Sequence, residues 1–268
     1  MKYKSLIWIG IGYIVLKWSI IIGVAGYLYE SGIWSNWYIL FVPLIGLVLF
    51  GFVKKVFLKK AHFLGYRKSF YKILKYYYPQ HYKSLYNQTE KKFEEISKDV
   101  SFAATSKNPM DKRLDFCAFF LGLIQVLEKN GESYPQIKAI AIGIAEDYVR
   151  PKNRIQAYVK KLPVKLIGTV PGRFLVGKLN KRIQTKGHED GFRAHIVTDE
   201  KETFGLGYGI NISECGICKL FLKHGASQYS PILCEVDKIT TRLAGLEMIR
   251  TGTIAKGADI CDFRYRKI

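Results

Sequence analysis

Acidic residues are scarce in this chain. Its 268 residues carry 22 Asp and Glu against 42 Lys and Arg, a formal net charge of +20. That imbalance calls for an anionic partner. Cysteine is sparse too: Cys117, Cys215, Cys218, Cys234 and Cys261 are too few and too unevenly placed for a secreted disulfide scaffold. Reduced thiols in a cytosol are the expected state. The chain has no GxSxG, HExxH, P-loop or dinucleotide fingerprint, and the glycines of GLGYG (205–209) have the wrong spacing for one. It also lacks helix-turn-helix spacing, an RNP-like run and zinc-finger spacing. Nucleic acid is therefore not an expected partner, despite basic and aromatic interleaving in YRKSFYKILKYYYPQHYKSLY. There is no internal repeat and no low-complexity stretch.

What the chain has in excess is apolar sequence at its start. SLIWIGIGYIVLKWSIIIGVAGYLY (5–29) and WYILFVPLIGLVLFGFV (37–53) are separated only by ESGIWSN. The second run is uncharged and, at about 1.5 Å per residue, just long enough to span a bilayer. The first carries Lys17, which costs about 2.5–3.5 kcal/mol on insertion scales. Gly10, Gly12, Gly23 and Gly26 would let a partner helix pack closely against it. The expectation is a two-helix transmembrane hairpin with its basic flank over residues 1–60. A cleaved signal peptide over 1–26 is the rival, opposed by Lys17 and by the apolar run that resumes behind it. Lys2 and Lys4 precede the runs, Lys54, Lys55, Lys59 and Lys60 follow them, and the link holds only Glu30. The positive-inside rule then makes a two-pass anchor in the cell membrane, with both ends and the main domain cytoplasmic.

Charge continues beyond the anchor. Residues 54–110 hold 13 Lys and Arg against 4 acids, and residues 148–188 hold 11 with no acid. Beside a membrane anchor, the expected partner is anionic inner-leaflet lipid, at about 1 kcal/mol per basic residue near the surface.

The remainder, 61–268, reads as one cytosolic α+β domain, helical through 187 and mixed α/β over 188–268. Helices are expected over 64–98 with a break near Tyr78-Pro79, over 110–131 with a stop at Gly131, over 134–151 and over 169–187. GFRAHIVTD (191–199) and FGLGYGINIS (204–213) alternate like strands. Ser213 is positioned to cap a short helix ending at Gly225, and Ser230-Pro231 opens another. LEMIRTGTIA and DICDFRYRK are expected to close the chain as a β-hairpin around Lys256-Gly257-Ala258.

Reactive residue types crowd into 211–266. Cys234 and Asp237 are three apart and share a helix face. On the last strand Cys261 and Phe263 point one way and Asp262 and Arg264 the other, so only one set can line a pocket. Arg250 and Arg264, across the hairpin, are candidates to clamp a carboxylate bidentately. Cys215-Gly-Ile-Cys218 has the spacing of redox and zinc sites, and Cys215 near a helix start would have a lowered pKa; a small buried hydrophobe is the competing reading. Zinc held by Cys215, Cys218, Cys234 and Cys261 is chemically possible, though no cofactor is predicted. Of the five histidines (His62, His81, His188, His195 and His224), His188 in KGHEDGF sits beside two acids.

The order Cys215, Gly225, Cys234-Glu-Val-Asp237, Arg250-Thr-Gly-Thr-Ile-Ala, Gly257 and Cys261-Asp-Phe-Arg264 resembles the L-2-amino-thiazoline-4-carboxylic acid hydrolase family. The likeness runs over about 110–266, and its distinctive part is RTGTIAKG with CDFR. It implies a hydrolase that opens a cyclic amidine C–N bond to give an N-carbamoyl-cysteine-like product from a small-molecule substrate. Such chemistry needs a nucleophile or activated water, an acid for the leaving group and a cation for the carboxylate. By this resemblance Cys261 or Cys234 is the nucleophile, Asp237, Asp259 or Asp262 the acid or base, and Arg250 or Arg264, with Thr251 and Thr253, the substrate-binding set. The alternative is a non-catalytic, membrane-tethered sensor module on the same scaffold. The chain also resembles vinyl-reductase-type ligand-sensing domains, which hold zinc through cysteines and an acid. Thr253 stands where one of those ligands is expected.

Overall fold

The structure, a computed structural model, describes residues 65–185 and 187–268, together with the isolated positions Ser19, Ile22, Gly23, Tyr27 and Glu30. The expected transmembrane hairpin, its basic flank and His62 lie outside the described residues. The chain divides into two compact units, 1–64 and 65–268, and the second is described below. No helix among the described residues is long and apolar enough to cross a membrane.

The unit is a mixed α+β fold, mostly helical, with one small antiparallel sheet. Helix α1 (65–77) buries Tyr66, Phe70 and Leu74, a row at i, i+4, i+8. It stops where Pro79 restricts Tyr78, and α2 (Tyr82–Ile96) turns back along it, running into a 3-10 segment, Ser97–Ala104. Helix α3 (Arg113–Lys129) is apolar on nearly every side and fully enclosed over most of its length, which makes it the central post of the core. Tyr66, Phe70, Phe116, Phe119 and Phe120 meet edge to face around it, with ring centroids 4.7–6.1 Å apart. Gly131, at φ +84°, ends the helix, and α4 (Tyr134–Val149) follows.

Helix α5 (Arg154–Ile167) is absent from the sequence reading. Pro163 in its middle argues against a helix, yet Asn153 caps it, accepting from the Gln156 N–H at 2.8 Å. Thr169 then caps α6 (Val170–Gln184), where Gly172 approaches the end of α5 so closely that a Cβ would lie 1.8 Å from the Leu166 carbonyl oxygen.

The sheet has the order β1-β2-β4-β3, with β1 Arg193–Val197, β2 Gly209–Glu214, β3 Leu246–Ile249 and β4 Cys261–Lys267. Between β2 and β3 lie α7 (Gly216–Lys223) and α8 (Ser230–Leu243), the latter with Pro231 in its first turn. Two expectations need correction. The second strand starts at Gly209, because Phe204, Gly205 and Gly207 take positive φ and turn the chain first. Ser213 lies inside that strand and donates to the Arg193 carbonyl (3.3 Å), so Cys215 is the residue that caps α7. The terminal strands pair as expected, Ile249 with Arg264 and Leu246 with Lys267, but the link over 250–260 contains a 3-10 turn closed by Gly257 at φ +89°.

One buried polar knot joins the helical and mixed halves. Asp111, without exposed surface, accepts from the Phe192 N–H at 2.9 Å and from Ser106 Oγ at 2.5 Å. Asn108 Nδ2 donates to the Phe192 carbonyl (3.0 Å), and its Oδ1 accepts from the Met110 N–H. A Cβ at Gly191 would sit 2.7 Å from Asp111 Oδ1. Asp111→Ala, leaving these donors buried and unpaired, should cost about 1–3 kcal/mol per orphaned group. Asp111→Asn keeps an acceptor for Phe192 and should lose less. Urea unfolding midpoints of the two variants against wild type measure this, and equal midpoints for all three would refute it.

Candidate active site

The site begins with a glycine. A Cβ at Gly216 would lie 3.1 Å from the Asp190 carbonyl oxygen and 3.2 Å from Leu114 Cδ2. Its absence lets the first turn of α7 settle against the first turn of α3. That approach brings Cys215 within electrostatic reach of Arg113 and Cys117. Arg113 Nη2 donates to Asp237 Oδ1 at 2.7 Å, tying α3 to α8. The Arg113 side chain keeps 47% of its surface accessible, and the Asp237 carboxylate beside it raises its pKa further.

The other residues of the cluster come from the sheet and the link after β3. Cys261 and Phe263 of β4 are buried on the inner face beside Ile212, with Tyr265 beyond them. The Tyr265 ring stacks on Tyr208 at 5.7 Å. Burial pushes the Tyr208 hydroxyl up to about 12. Arg250, just after β3, places its guanidinium over the Phe263 ring, 5.2 Å from the centroid. Its Nη1 is buried without a hydrogen-bond partner, and so is the Thr253 hydroxyl. Buried donors of this kind cost free energy unless something completes them. The Ile254 N–H donates to Cys261 Sγ at 3.2 Å.

The five thiols are all free, and they are not equivalent. Cys215 is held down to about 7, first by the hydrogen bond from the Cys218 thiol, then, against the opposing effect of burial, by the N–H groups of Ile217 and Cys218 and by Arg113. The helix cap acts through its field rather than through a formed hydrogen bond. Cys218, as the donor in that pair, is driven upward. Burial pushes Cys117 and Cys234 up to about 12 and raises Cys261 as well. Near neutrality Cys215 is therefore the one readily ionised thiol of the five.

Of the residues singled out in the sequence, Cys215, Cys218, Cys234, Asp237, Arg250, Thr253 and Cys261 come together here. The others do not. Asp262 lies on the opposite face of β4, where it accepts from the N–H groups of Thr251 (3.0 Å) and Gly252 (2.9 Å) and from the Thr251 hydroxyl (2.7 Å). Burial would raise its pKa, but these bonds outweigh it and hold the carboxyl low. Arg264 shares that outer face, donating to Asn211 Oδ1 at 2.8 Å and reaching Glu202 at 3.4 Å. The two arginines thus stand on opposite sides of the sheet and form no common clamp. Asp259 is exposed in the loop.

His188 stacks on Phe102 at 4.0 Å and accepts from the Asp190 N–H, while His224 lies 2.9 Å from Asp99. Among the described residues no three His, Cys, Asp or Glu side chains converge to hold a metal ion. An open groove of about 440 Å³ beside Phe192, His195 and Ser213 contains none of the thiols.

Arg113, Tyr208 and Tyr265 escaped the sequence reading. Arg113 lies 124 positions from its partner Asp237, and no local motif announces such a pairing. No curated protein and no solved structure matches the chain at a significant level. A family model does match, over residues 66–265, which takes in α1 at one end and Tyr265 at the other. With a span that takes in α3, α7, α8 and the Cys261–Tyr265 stretch, the chain belongs to the L-2-amino-thiazoline-4-carboxylic acid hydrolase family.

Proposed function

We propose that residues 65–268 form a thiol-dependent hydrolase for a small cyclic isothiourea carboxylate of the 2-amino-thiazoline type, with Cys215 as nucleophile. The observation that carries this reading is the gathering, around Cys234 and Cys261, of a thiol at the cap of α7 with buried donors of Arg250 and Thr253 that lack partners. The two apolar runs with their lysine flanks support a membrane tether that keeps the domain on the cytoplasmic side.

The chemistry follows from the groups present. The Cys215 thiolate attacks the amidine carbon between the ring nitrogen and sulfur. The ring carbon–sulfur bond breaks, and the departing sulfur takes a proton, with the neutral thiol of Cys218 a donor on the same helix turn. Water then adds to the thioimidate carbon and Cys215 leaves. Both nitrogens stay on the product, as a carbamoyl group requires, so the bond opened is C–S rather than the C–N bond expected from the sequence. Arg250 and Thr253 receive the carboxylate. Arg113, held by Asp237, keeps positive charge beside the thiolate.

Full-length protein given the thiazoline should release a new thiol and carbamoyl-cysteine, followed by disulfide-exchange titration and mass spectrometry. Cys215→Ser should lower kcat by about 10³-fold or more, a loss of some 4 kcal/mol. Arg250→Met should act mainly on KM, and Cys234→Ser and Cys261→Ser should change kcat far less. Undiminished turnover in Cys215→Ser would end this assignment; loss in Cys261→Ser with folding intact would transfer it to that residue. Saturable binding by the wild type without turnover would favour the sensor reading.

The lowered Cys215 pKa also fixes a sign. Activity should climb about tenfold per pH unit up to near 7 and level off above it, because only the thiolate attacks. For stability, a depressed folded pKa contributes fully above the ordinary thiol value near 9, and that contribution is lost as pH falls through about 7. Iodoacetamide labelling of Cys215 should show the same midpoint as kcat/KM, and a midpoint near 9 would rule out the activated thiol.

A further inference from the structure

Helices α5 and α6 do not look like the surface of a protein facing water. No residue of α5 is buried. Ile155, Val159, Leu162 and Leu166 fall at i, i+4, i+7 and i+11, one stripe of the helix, with Tyr158 alongside. Ile155 is 69% exposed, Val159 55% and Leu166 43%. A helix packed on a soluble domain turns such a stripe inward, but here it is turned outward. The first two turns of α6 continue the pattern with Val170 (83%), Phe174 (72%) and Leu175 (59%), while Val176 and Ile183 hold the helix to the body.

Cations are interleaved with this apolar surface. Lys161, Lys165, Lys178, Lys181 and Arg182 are all exposed, and Lys165 lies over the Tyr158 ring at 4.9 Å. The whole stretch 148–188 contains no acid. Carboxylates from outside reach it at Arg173 (Glu200, 3.1 Å) and at its ends, Arg150 (Glu146, 3.7 Å) and His188 (Asp190, 3.7 Å). Bulky apolar tips set among lysines suit the headgroup and upper acyl region of an anionic bilayer, where the rings and branched chains bury and the lysines meet lipid phosphate. A second copy is a poor occupant, since two such faces would set like charge against like.

We propose that the outer face of the α5–α6 hairpin, built on Ile155, Val159, Val170, Phe174 and Leu175, lies in the interface of an anionic membrane. This is a second, in-plane contact for the domain. It rests on the tether reading only for how the chain reaches the bilayer.

Amide hydrogen exchange, read by mass spectrometry on the full chain in phospholipid nanodiscs, tests the contact. With phosphatidylglycerol present, peptides from 154–184 should exchange about tenfold more slowly than in discs of phosphatidylcholine alone. The difference should vanish in high salt and in the double variant Phe174→Ser/Leu175→Ser, while α3 peptides stay unchanged. A chain that does not enter the discs, which would count against the tether, is instead mixed with phosphatidylglycerol vesicles, where the same protection is expected. Equal exchange in both lipids overturns the proposal. So does equal protection in both lipids and in detergent, which would mean that protein covers the face. Turnover of soluble thiazoline by the double variant reports on the hydrolase reading separately, since both residues are exposed on α6 and neither belongs to the thiol cluster.

Discussion

The Asp111 carboxylate is the point on which the rest of this fold turns. A charge with no exposed surface is tolerated only when its lone pairs are filled, and the backbone of Phe192 and the Ser106 hydroxyl fill them. The knot fixes where α3 begins, and Arg113 follows two residues later. It also draws the 187–192 segment against α3, and Gly191 and Gly216 make room for that approach. Loosening this clasp would move Arg113 and Cys215 before it disturbed the aromatic core.

The chemistry of the site is a matter of uneven environments. Five thiols in one region would be a uniform, unreactive set if burial alone acted on them. What separates Cys215 is position: it precedes a helix, has a neighbouring thiol as donor, and sits near a guanidinium whose own counter-charge is anchored on another helix. Pushing the pKa values of like groups apart is the general means by which a site assigns roles to them. Arg250 and Thr253 add the complementary feature, donors with nothing to donate to.

Much of this was legible in the sequence because it was periodic or punctuated. Helices α1 to α4, α6 and α8 announce themselves through apolar spacing, Gly131 and Pro231. The terminal hairpin and the two faces of Cys261-Asp262-Phe263-Arg264 follow from strand alternation, and the family resemblance from the same segment. Helix α5 was not legible, because Pro163 and an outward apolar stripe contradict the usual signs. Nor was the side to which Arg250 turns, since this depends on where β3 ends and the 250–260 link begins. Arg113 shows the remaining limit: a residue that matters through a partner far along the chain leaves no local trace.

The register break between Arg193 and Ala194 carries a consequence for solubility at high concentration. The sheet has two open edges, and open edges invite further strands to add and association to propagate. One edge, β3, is only four residues long. The other, β1, is kinked at its start, bears Arg193 and His195 on its outer face and packs along α6. Neither offers a long, flat run of unpaired amides. Among the described residues the sheet is thus kept from templating further strands by the shape of its two short edges, which leaves the apolar surface of α5 and α6 free for other uses.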